Sequence, residues 1–290
     1  MKTFLLGCGA QKAGTSWIQS YLAAQPGADF GPLKEYHTFN ALHLPDYAHV
    51  AERRDPSLLQ PRKFASHIVR HRRLPGDERL RKRLRAGRNY HAFFAKRLAQ
   101  PDVRLTGDMT PDYAALPASI IKAVRARFIQ NDIAVKALFM MRDPVDRCVS
   151  AVRMYRGRSP KDHRLPVSAE QTTTAALLVL YATRRFEALT RYDITLSHLA
   201  DTFDEDEIFV GLYEDLFNRE TVGAITRFCG LAADRPDFSK RVHESPFKDE
   251  AVTEAAKAAV ARHYRPVYHM AAKRFGAARM KALWGGYQYL

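Results

Sequence analysis

The first seventeen residues bring together the groups needed to hold a phosphate. The run FLLGCGAQKAGTSW (4–17) passes from apolar residues into a loop holding Gly7, Gly9, Lys12 and Gly14, then Thr15, Ser16 and a helix-like WIQSYLAA. A strand, a glycine-bearing turn and a helix start, in that order, offer unpaired backbone N–H groups and a positive dipole end to an anion. The spacing Gly9-x-x-x-x-Gly14 satisfies half of the phosphate-loop pattern, but Thr15-Ser16 stand where Lys-Ser/Thr belongs, and the lysine sits two residues before the second glycine, at Lys12. A nucleoside triphosphatase needs its lysine at the terminal phosphates, so this loop predicts a phosphate-bearing ligand other than ATP held in the usual way. The plainer alternative is a strand-to-helix turn with a surface lysine.

A second constellation is Met141-Arg142-Asp143-Pro144-Val145-Asp146-Arg147-Cys148-Val149-Ser150. An apolar strand delivers Arg142 to its carboxyl end, where open parallel sheets bind ligands. Ser150 follows two turns into the next helix, and an arginine fork with a hydroxyl suits a doubly charged phosphate. Asp143-Pro144 also reads as a helix cap, which is compatible with that role. A third segment, Lys34-Glu35-Tyr36-His37-Thr38-Phe39, offers a carboxylate and an imidazole. Taken alone, Glu35 is an exposed loop acid paired with Lys34, and His37 is structural.

Together these motifs resemble the sulfotransferases. Lys12-Ala13-Gly14-Thr15-Ser16-Trp17 is similar to their loop for the 5′-phosphosulfate of 3′-phosphoadenylyl sulfate (PAPS), and Arg142 through Ser150 matches their 3′-phosphate motif. Lys34 to Phe39 resembles a segment of the heparan-type and other carbohydrate-acting members, in which the glutamate is the base. The resemblance therefore implies Lys12, Glu35 and His37 as catalytic residues, and Lys12, Ala13, Gly14, Thr15, Ser16, Trp17, Arg142, Ser150 and Tyr213 as nucleotide-binding ones. Tyr213, in Leu212-Tyr213-Glu214-Asp215-Leu216, corresponds to a tyrosine near the adenine, although a core tyrosine fits equally well. It implies PAPS as co-substrate, its bisphosphate (PAP) as product, no metal, and a small-molecule or saccharide acceptor that could itself be anionic. The chain departs from the heparan-type pattern at Met109, in Gly107-Asp108-Met109-Thr110-Pro111-Asp112-Tyr113, where those enzymes place a lysine. The C-terminal Arg-Lys-Gly element of cytosolic members is missing; Lys240, Arg241 or Lys248 are the candidates to replace it.

The elements that must position these residues alternate. Strands are expected at 3–8, 103–108, 134–141 and 208–213, and helices at 15–24, 117–129, from 144 through 155, in a long pair over 169–203, at 218–229, and from 249 to 275 with a break at Pro266. Residues 45–100 are expected to be mostly helical, and 156–168 a polar loop poised over a site. Such alternation predicts an α/β fold: three layers, α/β/α, around a central parallel sheet, a P-loop-NTPase-like sulfotransferase fold in one domain over 1–290. At 46% hydrophobic residues the chain can build that core rather than remain disordered. No run reaches the ~18 apolar residues of a membrane span. The chain opens directly on a strand, and its three separated cysteines suggest neither a disulfide framework nor zinc, so a cytoplasmic protein is expected. The net charge of +15 attracts polyanions, with arginines crowded between 53 and 97. No aromatic interleaving points to nucleic acid. A P-loop kinase or NTPase, and a non-enzymatic polyanion-binding protein, are the rival readings.

Overall fold

The computed structural model describes residues 1–47, 76–85, 89–158, 163–232, 236–239, 247 and 249–290. Four strands among them, β1 (Thr3–Gly7), β2 (Leu105–Asp108), β3 (Ala134–Met141) and β4 (Ile208–Leu212), form one sheet in the order β2-β1-β3-β4. Every neighbouring pair is parallel. Residues 137–141 of β3 are all solvent-inaccessible, as a strand covered on both faces must be. Phe4 on β1 stacks on Phe128 at 4.1 Å and meets Phe94 edge-on at 5.0 Å, so the core begins at the first strand.

In chain order the helices are α1 (Thr15–Ala23), α2 (Thr38–His43), α3 (Gly76–Arg85), α4 (Asn89–Leu98), α5 (Ala118–Ile129), α6 (Pro144–Arg156), α7 (Thr173–Leu180), α8 (Arg184–Thr190), α9 (Tyr192–Ala200), α10 (Arg219–Phe228), α11 (Glu254–His263), α12 (Arg265–Phe275) and α13 (Ala277–Leu283). They flank the sheet, giving the α/β architecture expected from the alternation of elements. The Asp143-Pro144 cap is present: the Asp143 carboxylate accepts from the Val145 amide at 2.9 Å and Pro144 opens α6.

Two expectations change. The helical pair over 169–203 is three short helices, α7 to α9, because Thr183 and Arg191 leave helical geometry between them. At the C-terminus the chain breaks at Tyr264, placing Pro266 in the first turn of α12, where its missing N–H costs nothing. It then continues past residue 275: Gly276, at φ 92°, turns it into α13 and a final 3-10 turn, Gly285–Tyr289. That turn docks on the cap of α6, where Asp143 accepts from Tyr268 Oη at 2.5 Å and the Gly286 amide at 2.7 Å. A Cβ at Gly286 would come within 1.9 Å of the Tyr268 hydroxyl, so only glycine permits this closure. Residues 48–75, 159–162, Lys240, Arg241 and Lys248 lie outside the described residues, and with them much of the basic region, part of the 156–168 loop and the candidate C-terminal phosphate ligands.

The strand order sets the site. β1 has β2 on one side and β3 on the other, so the chain reverses its direction of winding there, and the crevice beyond the carboxyl ends of β1 and β3 is the topological switch point.

Candidate active site

The loop leaving β1 is shaped by two close approaches. A Cβ on Gly9 would lie 2.8 Å from the Pro111 carbonyl oxygen, and one on Gly14 would lie 2.3 Å from Leu216 Cδ2 and 3.3 Å from the Tyr213 ring. Both glycines hold positive φ, and so does Lys12 at 70°, a conformation non-glycine residues seldom adopt. The amides of Lys12, Gly14, Thr15 and Ser16 reach no acceptor among the described residues, while Trp17 and Ile18 already bond to the Gly14 carbonyl. Loop and helix start therefore present a row of outward donors. Ala13 and Thr15 are buried and Ser16 is half-buried beside them. Trp17 turns away from the row, into an aromatic group with Tyr21, Phe217 and Phe238.

The Lys12 ammonium has no hydrogen-bonding or acidic partner among the described residues. Burial, with the charges of Arg158, Arg142, Lys34 and Arg147, lowers its pKa to about 8. Arg142 reaches the same loop from the end of β3: Nη1 donates to the Lys12 carbonyl at 3.1 Å, and the guanidinium lies 4.4 Å from the Tyr213 ring centre. The two sequence motifs thus meet. Tyr213 packs against Arg142 and Gly14 at the end of β4, and the ion pair of Arg142 among the described residues, with Asp146, stands at its limit, 4.0 Å. Asp146, Ser150 and Arg153, at i, i+4 and i+7, share one face of α6.

Beside this cationic loop, and linked to it through Lys34, stands a row in which basic and acidic side chains alternate. Glu35 pairs with Lys34 Nζ at 3.2 Å and with His37 Nε2 at 3.0 Å; His37 Nδ1 faces Asn40 Nδ2 at 3.1 Å and Asp112 Oδ2 at 3.5 Å. Burial alone would raise the pKa of Glu35, but the hydrogen bond and charge of His37, with Lys34, outweigh it and hold the carboxyl well below the ordinary range. Arg81 of α3 donates twice to the Glu35 carbonyl, at 3.0 and 3.2 Å, which gives part of the basic region a definite structural role.

What holds this row in place is Asp108 at the end of β2. Wholly buried, its carboxylate accepts from Thr110 Oγ1 at 2.6 Å, Tyr113 Oη at 2.7 Å and Tyr90 Oη at 2.9 Å. The same Thr110 hydroxyl accepts the amides of Tyr36 and His37, and the Tyr113 hydroxyl accepts that of Thr38. Asp108 therefore fastens 36–38 to the sheet through two hydroxyl bridges. Asp108, Thr110, Asp112, Tyr113 and Asn40 build the site without being among the candidate residues, although 107–113 stands out in the sequence as a family-like segment. The Asp-x-Thr-x-x-Tyr spacing after a strand was an available signal, as was Asn40 one helical turn beyond His37. Met109, in the position of the missing lysine, is buried over Gly7 and belongs to the core. Lys34 lies between the two halves, paired with Glu35 and close enough to depress Lys12.

Neither protein-family models nor curated proteins match this chain. Among solved structures, a sulfotransferase from Alicyclobacillus acidocaldarius aligns over 98% of this chain and 96% of its own, at 19% identity and a TM-score of 0.56. The fold is that of a sulfotransferase. Sulfotransferase domains from the Synechococcus PCC 7002 olefin synthase (16% identity, 80% of this chain and 74% of that one, TM-score 0.42) and from the curacin biosynthetic pathway (14%, 88% and 89%, 0.41) are more distant and add nothing to that statement. In this sulfotransferase fold, no described helix is long and apolar enough to cross a membrane.

Proposed function

We propose that residues 1–290 act as one sulfotransferase domain that moves a sulfuryl group from PAPS to a hydroxyl of an organic acceptor, releasing PAP. The observation that carries this reading is the meeting of the Lys12 ammonium, the unbonded amides of Lys12, Gly14, Thr15 and Ser16, and Arg142 at the switch point, all cationic or donating and none answered by a carboxylate of the described residues at closer than 4.0 Å. A ligand with two separated phosphate-like groups fits that pocket. The amides and the Thr15 and Ser16 hydroxyls hold the 5′ end, Arg142 and Ser150 the 3′-phosphate, and Tyr213 the base side. PAPS supplies an activated sulfuryl group on its 5′-phosphate. As the acceptor oxygen bonds to sulfur, the sulfur–oxygen bond to that phosphate breaks, and Lys12 stabilises the charge left on the phosphate oxygen.

The acceptor proton goes to Glu35. Its depressed pKa makes it a weak base, but the attacking oxygen becomes strongly acidic as its bond to sulfur forms, so a weak base suffices late in the step. His37, steadied by Asn40 and Asp112, holds the receiving carboxylate in position. The self-paired acidic row suits an uncharged acceptor hydroxyl; saccharide is the first class to screen, from the likeness of 34–39 to carbohydrate-acting enzymes.

Thermal shift tests the nucleotide. 3′,5′-Adenosine bisphosphate should raise the melting midpoint and ATP with Mg²⁺ should not; the reverse order would make the protein a nucleoside triphosphate enzyme. Labelled donor with an acceptor library then tests transfer itself.

A further inference from the structure

Arg147 is fully buried in α6, and nothing acidic touches it among the described residues. Its Nη2 donates to Gln11 Oε1 at 2.9 Å and its Nη1 to Thr190 Oγ1 at 2.9 Å and Cys148 Sγ at 3.7 Å; Nε has no acceptor. The guanidinium sits 4.9 Å from the Phe186 ring centre. The titratable groups facing it are Cys148 and Tyr155 of α6, Tyr192 of α9 and Tyr264 between α11 and α12. Burial pushes Cys148, Tyr192 and Tyr264 up, so these remain neutral at physiological pH. A dry, permanently charged group among neutral partners is costly, and proteins ordinarily answer such a charge with a carboxylate. Here one polar link runs to the phosphate loop, to which Gln11 belongs; Gln11 hands its own amide to the buried Tyr155 Oη at 3.2 Å.

We propose that Arg147 is the buried supporting charge of the phosphate site: it does not touch the ligand, and its positive charge is answered by the bound anion rather than by an acid of the protein. This rests on the reading of the loop as a bisphosphate site. Low-dielectric surroundings carry the field of Arg147 to the loop with little screening, and Lys12 already registers it, since Arg147 is one of the four cations that lower its pKa. The arrangement costs the free protein stability and returns it when the dianion arrives.

The test is binding of 3′,5′-adenosine bisphosphate by calorimetry across pH, with melting of the free protein, in wild type and in Arg147→Met, Arg147→Lys and Gln11→Ala. Arg147→Met should melt no lower than wild type, bind the bisphosphate roughly tenfold more weakly, and begin losing affinity at a higher pH than wild type, because Lys12 is released toward its ordinary pKa. Arg147→Lys keeps the charge and should keep both affinity and pH midpoint, which holds the idea testable even if the methionine variant does not fold. Gln11→Ala cuts the hydrogen bond but not the charge, and should leave the pH midpoint where it was. Unchanged affinity in Arg147→Met, or a lower melting point with an unmoved pH midpoint, would make Arg147 a structural strut. Wild type that binds no bisphosphate would overturn the site reading instead, a result separate from any difference among the variants.

Discussion

Around the loop after β1, positive groups stand without close acids among the described residues: the Lys12 ammonium has no partner there, Arg142 lends a donor to the Lys12 carbonyl, and Arg147 is hydrogen-bonded to neutral atoms. Around Glu35, by contrast, each carboxylate has a basic side chain against it, in the order Lys34, Glu35, His37, Asp112. The first region is left electrostatically open and the second is closed on itself. An open cationic pocket gains most from an incoming polyanion, whereas a closed row holds a group in place without attracting ions. That difference is the ground for proposing the nucleotide on one side and the neutral hydroxyl on the other.

Glu35 and Lys12, one from each region, carry the largest expected effects. Glu35→Gln should lower sulfuryl transfer by about 10³-fold, within the range for loss of a general base, while bisphosphate affinity by calorimetry stays within a factor of about two, since the acidic row does not hold the nucleotide. A large affinity loss would erase the distinction between the halves. Lys12→Ala should lower turnover by about 10²–10³-fold, as for loss of a group stabilising transition-state charge; unaltered turnover in the labelled-donor assay would remove Lys12 from the chemistry.

Arg142→Ala sharpens the open side. It should shrink the affinity advantage of 3′,5′-adenosine bisphosphate over 5′-AMP by roughly tenfold or more, since the charge-assisted fork acts on the 3′-phosphate alone. An equal loss for both nucleotides would move Arg142 to the 5′ end.

The pH dependence follows from Lys12. Only its protonated form attracts the anion, and the free protein loses that proton near pH 8 while the bound protein keeps it to higher pH. Affinity should therefore be flat from about pH 7, above the second ionisation of the ligand phosphates, to about pH 8 and decline above it, with proton uptake on binding visible as a buffer-dependent calorimetric heat. Glu35, held well below the ordinary carboxylate range, should add no acidic limb to turnover near neutrality. The smallest effect is expected from Asp112→Asn: a loss of turnover of roughly severalfold with no change in bisphosphate binding, because it acts on Glu35 only through His37. A loss of nucleotide affinity there would connect the halves more tightly than their charge patterns suggest.

What could be read from the chain was local. The loop 8–14, the strand that ends at Arg142 and the cap at Asp143-Pro144 are each written in consecutive residues, and periodicity placed all four strands to within about two residues. The breaks at Thr183 and Arg191 were not legible, since the apolar spacing runs on through both and only packing separates the helices. The identity of the candidate residues was thus set by sequence. Their charge states and neighbours were decided by the tertiary fold. Asp108 becomes an anchor only because β2 pairs beside β1 and Tyr90 arrives from α4; Arg147 is uncompensated among the described residues because α6, α8 and the loop close over it without bringing an acid. Burial and distance between residues far apart in the chain determine such energies, and a linear order of residue types carries neither.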